Sequence, residues 1–149
     1  MSEQFAKLMQ QFGRFVGLET VTPDEHNNCV LGIDNFVVTI SLQDATVLVY
    51  APVGTLGASG REKVLLRLLR GNYFFAETGG ATLGVSPLND EIQLLYREHL
   101  QNLDATSLTA LVETFLERLE YWHGVCAEAS EPSDSGFGEA GLPQGVILG

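Results

Sequence analysis

The sequence predicts a two-layer α+β domain with the element order α-β-β-β-α-β-β-α. Three observations carry that reading. An amphipathic segment opens the chain, period-two alternation runs through residues 36–42, and a long apolar stripe at helical spacing joins Leu108 to Trp122. Strands linked by short turns pair antiparallel, and helices must then cover one face of their sheet.

Phe5, Leu8, Met9, Phe12, Phe15 and Val16 fall on one helical face. Ser2 with Glu3 suits a helix start, and Gly17 a stop. The stretch Thr22 to Asn28 is a loop by composition, and Cys29 to Ile33 reads as a first strand before an Asp34-Asn35 turn. Phe36, Val38, Ile40 and Leu42 alternate with Val37, Thr39 and Ser41, the pattern of a half-buried second strand. Thr46 to Ala51 is the third, and Pro52 with the Gly/Ser-rich stretch to Gly60 is expected to end this part of the sheet.

Arg61 to Tyr73 reads as a helix with an unusual distribution. At about 100° per residue, Val64, Leu65, Leu66, Leu68, Leu69 and Tyr73 spread over roughly 200° of circumference, about twice the arc of a one-sided surface helix. Lys63, Arg67 and Arg70 fill what remains. Such a helix packs on its own sheet and on something else, and a second copy of the chain is the simplest candidate. A central core helix is the alternative. Leu65, Leu66, Leu69 and Tyr73 are therefore the expected dimer contacts.

Ala81 to Val85 and Glu91 to Arg97 read as two further strands around a turn at residues 87–90. Asp104 suits the N-cap of the last helix, whose stripe is Leu108, Leu111, Val112, Phe115, Leu116, Leu119 and Trp122. After Ala129 the composition turns to Gly, Pro, Ser and acids. The chain thus divides into a folded domain, residues 1–129, and an acidic tail, residues 130–149, expected to be disordered.

The formal charge of −11 repels phosphate backbones and anionic lipid, so nucleic-acid and membrane partners are disfavoured. It favours a basic partner and keeps a chain that is 45% hydrophobic in solution. Cys29 and Cys126 are the only cysteines and no segment has signal-peptide or transmembrane character, which reads as a cytosolic protein with free thiols.

Residues for chemistry are sparse. His26, His99 and His123 are scattered. His123 and Cys126 share a helix face, but two ligands are too few for zinc. The glycines from Gly79 to Gly84 lack a P-loop lysine and lead into a strand, so no helix N-terminus would face a phosphate. Glu77, Asp90 and Glu91 read as solvated turn acids, and Ser41 and Ser86 lack a nucleophile-elbow context. The expectation is a binding protein with no catalytic residues, metal or cofactor; a small enzyme using a carboxylate and His99 is the competing class.

The fragments LLRGN at the end of the second helix, FAETGGATLGV at the following turn and strand, and LDATSLTALVETFLERLEYW in the last helix occur here in one order and spacing. Together with small size and acidity they resemble the Tir-chaperone class of bacterial type III secretion chaperones, over Phe5 to about Val125. The resemblance implies a cytoplasmic bacterial homodimer that binds the N-terminal segment of a secreted effector and keeps it non-globular without ATP. A regulatory relative that sequesters another secretion-system component is the alternative. It also implies apolar client grooves, for which Phe5, Leu8, Met9 and Phe12 of the first helix, with Leu83 and Leu94, are the candidates. These residues are divided between core and groove in that expectation.

Overall fold

The computed structural model describes residues 1–130; the expectation of a disordered tail lies outside the described residues. The elements are α1 (Ser2–Val16), β1 (Asn28–Ile33), β2 (Phe36–Gln43), β3 (Thr46–Thr55), α2 (Arg61–Gly71), β4 (Thr82–Val85), β5 (Glu91–His99) and α3 (Ala105–Ser130). They form one five-stranded antiparallel sheet in the order β1-β2-β3-β5-β4. The α+β architecture and the order of elements are those the sequence predicts.

Side-chain alternation sorts the sheet into two faces. Val38, Ile40, Val47, Val49, Val53, Ile92 and Leu94 are buried on one face beneath Phe5, Met9 and Phe12 of α1 and Leu108, Leu119 and Trp122 of α3. The opposite face has a cross-strand row Val30–Thr39–Tyr50–Leu95–Thr82, one residue from each strand. Val30 and Val37 on that face are exposed. All the helices therefore serve one layer.

Local chemistry fixes the ends. Gly17 closes α1 in the left-handed conformation with φ 79°. Asp104 and Ser107 cap α3 reciprocally: Ser107 N–H donates to Asp104 Oδ1 at 2.8 Å, and Asp104 N–H donates to Ser107 Oγ at 2.9 Å.

Several boundaries differ from expectation. β3 does not stop at Ala51 but runs through Pro52 to Thr55. Pairing with β2 ends at Thr39–Tyr50, so the N–H that proline lacks faces no strand, and the register with β5 shifts between Pro52 and Gly54. Val53 beyond it is buried and extends the core. α2 ends at Gly71, two residues early, because Asn72 turns its side chain to β4. β4 begins at Thr82, and β5 continues to His99.

Candidate functional site

The six residues expected to line client grooves belong to the core. Phe5, Met9, Phe12 and Leu94 have no exposed surface, and Leu8 and Leu83 are buried. The expectation did not allow for how much of α1's stripe a single sheet needs: Phe5, Leu8, Met9 and Phe12 all go to close the core, while Phe15 and Val16 at the end of the stripe stay exposed. Surface for binding has to come from elsewhere.

It comes first from α2, which buries only Leu68 and Gly71. Leu65, Leu66, Leu69 and Tyr73 are exposed, with Leu69 at 67% and Tyr73 at 71%, and Phe74 and Phe75 extend the patch. The four expected dimer-contact residues thus form one uncovered apolar surface, joined by two aromatics that the sequence reading missed. Their adjacency in YFF was the available signal.

This surface is held rigidly from behind. A Cβ on Gly71 would lie 2.2 Å from Trp122 Cη2, so only glycine allows α2 to approach α3 this closely. The Arg67 guanidinium stacks 4.8 Å from the centre of the Trp122 ring. Arg67 also donates to Glu77 Oε1 at 2.8 Å and to Tyr121 Oη at 3.1 Å, and Trp122 Nε1 donates to Glu77 O at 2.9 Å. Asn72 imitates a strand residue: its Nδ2 donates to Leu83 O at 3.0 Å and its Oδ1 accepts from Leu83 N–H at 2.8 Å. Between these anchors Phe74 and Phe75 sit at φ 54° and 59°. Left-handed backbone at a bulky residue costs of order 1–2 kcal/mol, and it persists here because both flanks are tied down.

A second feature lies on the other side of the Glu77–Gly80 turn. A half-open cleft of about 340 Å³ runs between the start of α3 and the end of β5, walled by Tyr96, Leu103, Leu111 and Phe115. Gly79, at φ 64°, lines one rim, and Gly80 follows it at φ 93°; a Cβ on Gly79 would press against Arg118 and one on Gly80 against Tyr96, each at 3.0 Å.

Several titratable groups are shifted by their surroundings. Burial, with the Asp24 charge, pushes the Cys29 thiol up to about 11, and burial also raises Cys126, so both stay protonated at neutral pH. Hydrogen bonds from Asn102 and the His99 amide lower Glu98. Among the described residues no group of His, Cys, Asp and Glu is placed to hold a metal ion, and no helix is long and apolar enough to cross a membrane.

The architecture is a one-sided helical layer on an antiparallel sheet, with an exposed apolar surface on α2. The chain belongs to the Tir chaperone protein (CesT) family, whose model matches residues 7–123. Curated protein sequences give no match. Among solved structures it is similar to a chain of the ExsC–ExsE complex, with TM-score 0.72 and 20% identity over 85% of this chain and 96% of that one. It is similar to a chain of the HopA1–SchA chaperone–effector complex, with TM-score 0.68 and 18% identity over 83% and 95%. The Yersinia pestis type III secretion chaperone SycH, in complex with a stable fragment of YscM2, gives TM-score 0.63 and 18% identity over 79% and 98%. At these identities the likeness is one of fold.

Proposed function

We propose that the protein is a type III secretion chaperone that works in the bacterial cytoplasm as a homodimer. It binds the N-terminal segment of one or more effectors and keeps that segment soluble and non-globular. The observation that carries this reading is family membership combined with a domain that leaves a contiguous apolar surface uncovered on α2. Burying a leucine side chain stabilises a contact by roughly 1.5–3 kcal/mol, and two-fold symmetry counts each contact twice. Leu65, Leu66, Leu69 and Tyr73 are thus suited to pair two copies.

Holding a client extended needs binding energy and no catalysis, so neither ATP nor a reactive side chain is required. The charge of −11 keeps the complex soluble and favours basic clients. Wrapping a large surface offsets the entropy lost when the client orders.

The test is co-expression with effectors encoded in the same cell, then size-exclusion chromatography and limited proteolysis. The expected product is a stable complex in which the client's N-terminal segment is bound yet cleavable at exposed sites. It should survive moderate salt, since apolar contacts are not screened. Failure to retain any effector would overturn this reading, and turnover of a small substrate abolished by His99→Ala would replace it with the enzymatic one.

A further inference from the structure

The side of α2 that faces its own domain is not the middle of its apolar arc. Leu68 and Gly71 are buried, Val64 packs against the core, and Arg67 lies over the Trp122 ring. At about 100° per residue these four fall within roughly 100° of circumference, with Arg67 at one end and Leu68 at the other. The apolar arc runs instead from Val64 through Leu68, Leu65 and Leu69 to Leu66, and its midpoint is Leu65. Leu65, Leu66 and Leu69 are all exposed. The helix is thus turned by about 100° from the orientation that would bury its own leucines.

Arg67 takes the inward place that a leucine would otherwise fill. Besides its bonds to Glu77 and Tyr121, Tyr121 Oη donates to the same Glu77 oxygen at 3.2 Å, so the three polar groups close a ring. The Tyr121 and Trp122 rings meet edge to face at 5.3 Å, and Glu77 is itself fixed through its carbonyl by Trp122 Nε1. Asn72 fixes where the helix ends, and Arg61, paired with Asp90 at 3.2 Å, where it begins. Arg67 is the polar anchor at mid-helix. Turning α2 to bring Leu65 inward would swing the guanidinium off Trp122 and away from Glu77.

We propose that Arg67 is a positioning residue for self-association. By holding α2 at this rotation it denies Leu65, Leu66 and Leu69 to their own core and leaves them for a second copy. It acts through the orientation of the helix rather than through a contact of its own with that copy. Replacing a half-buried ion pair by apolar groups is often neutral or stabilising, so the anchor defines a face without being needed for folding. The inference rests on the α2 pairing in the chaperone reading and deepens it by naming what keeps the pairing face outward.

The test measures two quantities on the full chain: the dimer dissociation constant by sedimentation equilibrium, and Tm in the Leu66→Glu background, where the chain is a monomer. Arg67→Met removes the anchor at similar length, and Glu77→Gln loosens it from the other side. Arg67→Met should raise the dissociation constant about tenfold or more, while Tm in the Leu66→Glu background stays level or rises. Emission from Trp122, the only tryptophan, should shift in both backgrounds as the guanidinium leaves its ring. Glu77→Gln should weaken the dimer less, and adding it to Arg67→Met should weaken it no further, because the two residues share one anchor. An arginine that merely stabilises the fold would instead lower Tm in the Leu66→Glu background and leave dimer affinity at the wild-type value. That result overturns the proposal, as do additive losses in the double variant. If Arg67→Met dimerises as wild type does while Leu66→Glu is a monomer, the α2 pairing stands and Arg67 does not position it. If Leu66→Glu is itself a dimer, or wild type a monomer, the pairing falls and the proposal with it.

Discussion

α1 and α2 are both amphipathic by sequence, yet the fold treats them in opposite ways. α1 buries Phe5, Leu8, Met9 and Phe12 against the sheet and α3. α2 touches the core through Val64, Leu68 and Gly71 and leaves Leu65, Leu66 and Leu69 in solvent. Apolar periodicity therefore shows that a face will be covered without showing by what. What separated the two helices in the sequence was the width of the apolar arc, since a one-sided helix does not need about 200°.

Substitutions should divide along this line. Phe12→Ala opens a cavity at a fully buried position, and we expect a loss of about 3–5 kcal/mol in urea unfolding. A loss below about 1 kcal/mol would mean that α1 is not core. Gly71→Ala tests how α2 is seated. Alanine is the better helix former by about 1 kcal/mol, but its methyl would overlap Trp122, and overpacking of this kind costs about 1–3 kcal/mol. Net destabilisation with a shift in Trp122 fluorescence is expected; a gain in stability would show that the close approach is not required.

Phe74→Gly should act in the opposite direction. Phe74 is 80% exposed and left-handed, so glycine relieves backbone strain while giving up little burial. The isolated domain should gain about 1 kcal/mol, and self-association should weaken. A variant that loses stability would show that the aromatic packs within the monomer.

The smallest effect is a pH dependence at the α3 cap, where hydrogen bonds from Ser107 hold Asp104 below its ordinary value of 3.8. A group depressed in the folded state stabilises it above the unfolded value and loses that contribution as pH falls through the folded one. Asp104→Ala should therefore be less stable than wild type at pH 7, and the gap should narrow below pH 3.8. A gap that stays constant with pH would show that the carboxylate is not the capping group.

The elements legible in the sequence were those set by short-range pattern: the stripes of α1 and α3, the alternation of β2, the Asp104 cap and the Gly17 stop. The insertion of β5 between β3 and β4 depends on pairing between segments far apart in the chain, which alternation does not encode. Pro52 looked like a strand end, but its missing donor matters only where a neighbouring strand accepts, and among the described residues none pairs with it on that side. The six candidate groove residues were misplaced for a related reason: a stripe does not say whether helices or a partner cover it. The cleft was the least visible feature, since its walls come from β5, the turn before β4 and α3, which meet only in the tertiary fold. Only the Gly79-Gly80 pair beside it marked an unusual turn.

The most direct test of the account is sedimentation velocity of wild type and Leu66→Glu at low micromolar concentration. Wild type should sediment at about twice the 16.2 kDa chain mass, and Leu66→Glu as a folded monomer whose unfolding free energy differs by less than about 1 kcal/mol from that of dissociated wild type. If Leu66→Glu remains the same dimer as wild type, the exposed face of α2 is not where two copies meet, and the reading of that helix is wrong.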